Sequence, residues 1–367
     1  MITNIHCSKL ARPMVCAGSL FFTDLPEDPP NDAAKEGTAA GEYLERLLTA
    51  GGAAATHARN GVPFDVDMKF YGATTCKEIK DAAKGEINCE VPINWQTPSG
   101  IWINGKYDAS YEGHDGALHV DDYKYGFGLV EVEENWQILG YAIGEVIRRN
   151  KAYNEIVLTI RQPRAHHECG PVRSWRIGYS ELLARKEQIE TRMQQIVDGE
   201  KSLVSCTHCK YCRAAAFCPA FNKAYHRGVD LVHDFIQDTL DETELSFQLD
   251  LVNRIEDLVK TRRSSLELLA ITRIKDGKLI PDYALDQKLA NRTWQGGIDP
   301  AAIKMLTGKD VTRTEMMSPA QAEKIGVPQD LIDKITERKM LGMKLKKVDT
   351  GKLGDRIFGK PQQLRGE

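Results

Sequence analysis

The 367-residue chain contains no run of about 18 apolar residues, the length a membrane helix needs, so no membrane span is expected. Its opening stretch, MITNIHCSKLARPMVCAGSLFF, lacks the continuous apolar segment of a secretion signal, and a cytoplasmic chain is expected. There is no excess of positive charge either: 49 Lys and Arg stand against 52 Asp and Glu, a net charge of −3. That balance argues against a protein dedicated to coating nucleic acid, so any such contact would be local. No internal repeat is present. What remains is an ordinary soluble composition, 42% apolar and 28% charged, enough for one large or two modest domains. The nine cysteines are an odd number, and Cys206, Cys209, Cys212 and Cys218 fall within thirteen positions. In a chain without a secretion signal, this clustering points to metal or cluster binding rather than to disulfides.

Residues 23–34 read as a polar, proline-rich loop. Tyr43, Leu44, Leu47 and Leu48 then recur at helical spacing. From about residue 86, INCEVPINW, GIWINGKYDASYE and GALHVDDYKYG read as short strands joined by Gly and Asp turns. EENWQILGYAIGEVIRRN predicts a helix with Trp136, Leu139, Ile143, Val146 and Ile147 along one side. NEIVLTIRQPR predicts a strand that stops at Pro163, and residues 179–200 predict a long polar helix ended by Gly199. Residues 229–272 are helical again, with a core stripe of Leu231, Val232, Phe235, Ile236, Leu240, Leu249, Val252, Ile255 and Val259. The stretch 334–365 carries ten Lys and Arg against three Asp and Glu, and reads as a mobile or loosely docked basic tail. This order predicts an α+β fold with a helical C-terminal extension.

The most informative chemistry lies in GKYDASYEGHDGALHVDDYKYG. Residues two apart in a strand share a face, so Leu118, Val120, Asp122 and Lys124 point the same way. Asp122 and Lys124 would stand roughly 6.5 Å apart along that strand. If 107–111 and 118–124 form a hairpin, Asp108 lies almost opposite Asp122. Two carboxylates so placed repel, and a divalent cation removes the penalty. With the Tyr123 carbonyl they offer oxygen ligands for Mg²⁺ or Mn²⁺. Lys124 could then orient a nucleophile or neutralise developing charge. The plainer reading is a surface hairpin with a solvated Asp–Lys pair.

Taken in order, G-x-x-D (Gly105 to Asp108), D-Y-K (Asp122 to Lys124) and Q-x-x-x-Y (Gln137, Tyr141) resemble the PD-(D/E)XK nuclease superfamily. The match is to its RecB-like branch, which includes the AddB nuclease and CRISPR-associated iron–sulfur exonucleases, and the run DYKYGFGLVEVEENWQILGYAIG is especially similar to a phage-encoded group of that branch. The match covers about residues 5–220. The resemblance implies a central mixed sheet flanked by helices, with Asp108 and Asp122 as metal ligands and Lys124 as catalytic lysine. Gln137 and Tyr141 would border the active site and the DNA. The branch's first motif, G-x-x-x-H, departs here: Gly37 and Thr38 match, but Gly41 stands where the histidine belongs. Glu36, Glu42 or Glu45 are candidate substitutes; on an ideal helix Glu45 shares the face of Gly41.

From spacing alone the cysteines allow zinc or an iron–sulfur cluster, although the last gap is too long for a free-standing ferredoxin module. Read from Cys209, the spacing C-x₂-C-x₅-C-P resembles that of the iron–sulfur nucleases of this branch. The resemblance implies a [4Fe-4S] cluster on Cys16, Cys209, Cys212 and Cys218, with Cys206 spare or competing. Such a cluster would clasp the N-terminal segment to the end of the core. It also implies a nuclease domain over 1–220, a helical extension over 221–300 and a C-terminal region over 301–367. Cys7, Cys76, Cys89 and Cys169 read as ordinary thiols, and His166, His167 and Cys169 as a weak candidate for a second metal site.

For phosphate contacts the candidates are Arg148, Arg149, Arg161, Arg164, Arg173, Arg176 and the basic tail. Tyr125, Phe127 and Trp136 are candidates for base stacking, with core packing as the alternative. The resemblance, with these features, implies a metal-dependent DNA nuclease, an exonuclease acting on single strands or duplex ends in phage replication or recombination. Partners would be DNA and other replication or recombination proteins, including a single-strand-binding protein; an oligomer is possible. The rivals are a non-catalytic DNA-binding or scaffold protein that keeps the fold, and a zinc-binding structural protein.

Overall fold

The computed structural model describes residues 2–22, 25, 32–49, 55–165, 167, 169–234, 242–289, 293–294, 298–312, 319, 322, 327–337 and 340–347. The chain divides into two compact units, Met1–Ser265 and Leu266–Glu367.

The first unit is built on two sheets. β2 (Ala83–Cys89), β5 (Ala109–Gly113), β6 (Leu118–Tyr123), β7 (Glu155–Arg161) and β8 (Val172–Gly178) lie in that order in a five-stranded sheet. Only β6 and β7 run parallel, so the sheet is mixed. A parallel pair needs a crossover, and α4 (Trp136–Arg149) supplies it. The smaller sheet places β1 (Asn4–His6) parallel to β4 (Trp102–Lys106), with β3 (Pro92–Gln96) antiparallel on β4's other side. α4 packs against strands of both sheets and against α5 (Tyr179–Val197). Leu118, Val120, Leu139, Ile143, Ile156, Leu158 and Ile160 form the shared core. The mixed α+β architecture with flanking helices is thus as expected.

Local chemistry sets the ends of α4. The Asn135 side chain accepts from the N–H groups of Gln137 and Ile138, and Asn150 closes the helix in the left-handed region at φ 49°. α2 (Asp32–Leu48) packs on α3 (Val66–Ala82), with Tyr43, Leu44, Phe64 and Met68 buried between them and Tyr123 and Tyr125.

Some elements carried little signal. α3 buries Met68, Gly72, Thr75, Cys76 and Ile79, a stripe of small and polar residues with faint apolar periodicity. β8 likewise was not predicted. Ile147, placed on the buried side of α4, is 45% exposed, because it lies in the last turn beyond the packed face.

α6 (Pro219–Asp234) and α7 (Glu242–Lys275) are helical as predicted, but the stripe on α7 is different. Leu249, Val252 and Val259 are exposed. The helix docks instead through Leu258, which packs on the cluster of Ala215, Cys218 and Phe221, and through Arg262, which donates to the Ala216 carbonyl at 2.7 Å. Phe235, Ile236 and Leu240 lie outside the described residues, as does most of 23–34.

In the second unit, β9 (Tyr283–Leu289) pairs antiparallel with β12 (Met340–Lys347). The first part of the expected basic tail is therefore a paired strand; residues 348–367 lie outside the described residues. β10 (Thr293–Trp294) pairs with β11 (Thr336–Glu337). α8 (Pro300–Thr307) and α9 (Gln329–Ile335) each place an isoleucine, Ile303 and Ile332, in a small core with Val311, Ala322 and Val327.

Candidate functional site

The β5–β6 register pairs Ala109 with Asp121, which sets Asp108 beside Asp122 at the next position. One Asp108 carboxylate oxygen accepts the Tyr123 N–H. Lys124 Nζ lies 2.8 Å from Asp122 Oδ2 and 3.1 Å from Oδ1. From α4, Gln137 completes the group. Its Oε1 is 3.4 Å from Lys124 Nζ, and its Nε2 lies 3.4 Å from Asp122 Oδ1 and 2.9 Å from the Tyr141 hydroxyl. Asp122, Lys124, Gln137 and Tyr141 are one hydrogen-bonded group at the end of β6, the central strand of the sheet, and Asp108 stands beside Asp122.

The electrostatics follow from burial and charge. Burial raises the Asp108 carboxyl well above the usual carboxylate range, and the negative Asp122 adds to it. Burial alone would lower Lys124, but Asp122 and Asp108 outweigh it and hold the lysine above its ordinary value. Lys124 is therefore a cation here, suited to neutralising charge rather than to removing a proton.

Gly105 of the G-x-x-D motif has a steric reason. A Cβ there would sit 2.6 Å from Cε1 of Tyr141, so a side chain would push the ring away from Gln137. Two further residues belong to the site and were not singled out from sequence. Glu145 is fully buried one turn beyond Tyr141 on α4. It accepts from the Tyr107 hydroxyl at 2.8 Å and the Ser110 hydroxyl at 3.1 Å, and pairs with Arg148 and Arg149. It fixes the helix to β5. The i, i+4 spacing of Gln137, Tyr141 and Glu145 was the available signal. Glu90, between β2 and β3, is near enough to Asp108 for the two carboxyls to influence each other, and burial raises its carboxyl. It adopts φ 51°, uncommon for a residue with a side chain.

The candidates for the missing histidine fare differently. Gly41 has open space around it. Glu42 is buried, paired with Arg46 at 2.6 Å, and accepts the Arg59 N–H at 2.8 Å. Glu36 pairs with Arg164 at 2.8 Å. Glu45 pairs with Arg59 at 3.2 Å and is near enough to Glu90 for its charge to act there.

The arginines proposed for phosphate contact are all engaged within the chain. Arg148 and Arg149 hold Glu145, and Arg161 is buried between Asp121 and Glu78. Arg173 bonds Gln162 and the Val130 carbonyl, and Arg176 bridges Asp115 and Glu155. Arg164 stacks over the rings of Tyr125 and Phe127. Of the three stacking candidates, Tyr125 is buried and Trp136 packs against the core, while Phe127 is 68% exposed. His167 faces Glu131 at 3.6 Å, and His166 lies outside the described residues.

The fold also brings Cys16 to the 206–218 segment. Cys16, Cys206, Cys209, Cys212 and Cys218 line one small pocket with Leu203 and Phe221. Val204 N–H donates to the Cys16 sulfur at 3.4 Å, and Cys206 N–H to the Cys209 sulfur at 3.3 Å. Gly18 N–H meets the Ser202 carbonyl at 2.9 Å, and a Cβ on Gly18 would lie 2.6 Å from the Lys201 carbonyl oxygen. Glycine thus permits the close approach. Hydrogen bonding from Cys209 draws the Cys206 thiol down to about 7, while Cys209 itself is raised by that bond and by burial. Among the described residues, no group of three or more His, Cys, Asp or Glu side chains is arranged at metal-binding geometry. The donor set nevertheless has the right chemistry for a thiolate-bound metal or cluster: five sulfurs on one pocket, two of them accepting backbone N–H bonds.

The fold is thus a mixed α+β core carrying a carboxylate–lysine group and a separate thiol pocket. The chain belongs to a family of proteins of unknown function, DUF2800, whose family model matches residues 5–347. Among solved structures it is similar to one titled "Crystal structure of SSO0001", at 14% identity and a TM-score of 0.32, over 60% of this chain and 87% of that one. No curated protein matches the chain. Among the described residues, no helix is long and apolar enough to cross a membrane.

Proposed function

We propose that this chain is a metal-dependent DNA nuclease of the RecB-like type, with Asp108 and Asp122 as metal ligands and Lys124 as the catalytic cation. One observation carries the reading. Two acidic side chains are held together at the end of the central strand of the sheet, with a protonated lysine and a glutamine beside them. A divalent cation there, also reached by the Tyr123 carbonyl, would supply Lewis-acid activation of water and of a phosphate. Asp108 and Asp122 would orient the substrate through that ion. Lys124 neutralises charge developing on the phosphate, Gln137 holds the lysine and Asp122 in register, and Tyr141 holds Gln137. The thiols of Cys209, Cys212 and Cys218 would hold a [4Fe-4S] cluster with Cys16. That cluster would act as a structural clasp, since phosphodiester hydrolysis transfers no electrons.

The test is cleavage of end-labelled single- and double-stranded DNA with Mn²⁺, with and without chelator. Metal-dependent products support the reading, and their absence from protein with full iron content would sink it. The free space at Gly41 and the engagement of Glu42 favour one other reading, a non-catalytic DNA-binding protein with the same fold. Strand binding without cleavage is its signature.

A further inference from the structure

A second cleft, of about 580 Å³, opens beside the cysteine pocket and shares Arg12, Ser19, Phe22 and Cys212 with it. Its cations are Lys9, Arg12 and Arg213, with the His208 ring among them. Arg12 donates to the Tyr211 carbonyl at 2.8 Å and Arg213 to the Leu25 carbonyl at 3.1 Å. These bonds orient the guanidinium groups without neutralising them. Arg12 Nε is buried and has no hydrogen-bond partner. Among the described residues, no carboxylate lines the cleft and none forms an ion pair with any of the three cations. On a chain of net charge −3, three permanent cations with no carboxylate partner among the described residues make a local positive field in one concavity that an anion would relieve.

The aromatic content narrows the anion. Tyr211 stands 70% exposed at the rim with Lys210 Nζ 4.9 Å from its ring centre, and Phe22 lies within the cleft. Cations interleaved with an exposed ring are what single-stranded nucleic acid requires: charge for the backbone and a face for a base. We infer that this cleft is a second grip on a nucleic-acid strand, with Lys9, Arg12 and Arg213 meeting phosphate and Tyr211 stacking on a base. The inference rests on the nucleic-acid reading above and adds a contact that the carboxylate site does not contain.

Lys9 and Tyr211 are exposed, so their replacement leaves the fold intact. Binding of a labelled dT20 oligonucleotide to the anaerobically purified full chain is measured in Ca²⁺ by anisotropy across a salt series. Lys9→Gln is expected to weaken binding and to make the log–log salt slope shallower by about 0.7, the loss of one single-strand phosphate contact. Tyr211→Ala is expected to weaken binding about fivefold or more with the slope unchanged. Iron content and absorbance near 400 nm should equal wild type in both. Wild-type binding unaltered in both variants overturns the inference and leaves the nuclease reading standing. A wild type that cleaves nothing in Mn²⁺ and binds no oligonucleotide overturns both. Binding of dTMP without binding of the oligonucleotide would mark a mononucleotide site and overturn the strand assignment.

Discussion

The carboxylate–lysine group and the cysteine pocket are held by different means. The first sits on a sheet register and a helix, and most of its polar groups are already engaged: Asp108 with the Tyr123 N–H, Asp122 with Lys124, Gln137 with Tyr141. Asp122 Oδ2, though within ion-pair reach of Lys124, lacks a hydrogen-bond partner among the described residues. Glu145, with four partners, pins the helix beneath it. The second is assembled from an N-terminal segment and a short turn-rich stretch almost two hundred residues away. Those pieces meet through scattered bonds, Gly18 to Ser202 and Arg12 to Tyr211, and Arg192 of α5 ties the N-terminal segment to the core through the Pro13 carbonyl at 2.9 Å. Ladder and helix hydrogen bonds preorganise a site before any ligand arrives. A junction of loops gains much of its order from whatever ties the loops together. If the proposed metal and cluster are bound, the contrast means that their loss should affect chemistry at the first region and stability at the second.

The largest effect should come from the first region. Lys124→Ala or Asp122→Ala should lower cleavage at least about a hundredfold in protein that still folds. Full activity in either variant would remove the site assignment. At the second region, Cys212→Ser should lose iron and lower the melting temperature by about 5 °C or more. Cys16→Ser should do the same and Cys206→Ser should not. Iron loss confined to the Cys206 variant would show that the fourth ligand had been misassigned.

Glu145→Gln probes the scaffold of the first site. Removing one charge from a buried network with two arginines should cost on the order of 3 kcal/mol in denaturant unfolding. Hydrogen bonds from Arg148, Arg149 and Tyr107 outweigh burial and hold Glu145 below the usual carboxylate range. With the folded value depressed, its stabilising contribution is present above the ordinary carboxylate value and is lost as pH falls through the folded one. An acid titration in which Glu145→Gln and wild type converge would show this.

The smallest effect has the opposite sign. Folding raises Asp108, so between its ordinary and folded values the folded chain binds more protons than the unfolded one. Metal-free stability contributed by this group therefore falls as pH rises through that window. In chelator, Asp108→Asn should be more stable than wild type by about 1 kcal/mol at neutral pH, and it should lose any Mn²⁺-induced rise in melting temperature. A metal-free variant less stable than wild type would mean that Asp108 is a purely structural group.

Much of the candidate site was legible because it follows period-two and i, i+4 rules. Asp122 and Lys124 share a strand face, and Gln137 and Tyr141 share a helix face. The hairpin that sets Asp108 beside Asp122 was readable from the Gly and Asp turn between its strands. Glu90 was not, since it comes from a different strand connection and no local pattern marks it. The internal partners of the arginines were not legible because a basic side chain looks the same in sequence whether it faces phosphate or a buried glutamate. Likewise, α7 showed apolar residues enough for several faces, and only docking through Leu258 and Arg262 selected one.

By itself, the sequence determined the α+β class, the strand and helix that carry the polar group, and the cysteine spacing. Each is set by local stereochemistry or by periodicity along the chain. Only the tertiary structure decided which charges are neutralised and which remain free. It placed Cys16 on the pocket of Cys206–Cys218, enclosed Arg161 and Arg173, and left Lys9, Arg12 and Arg213 facing a common cleft. Charge pairing depends on distances between residues remote in sequence, and those distances exist only once the chain has closed on itself.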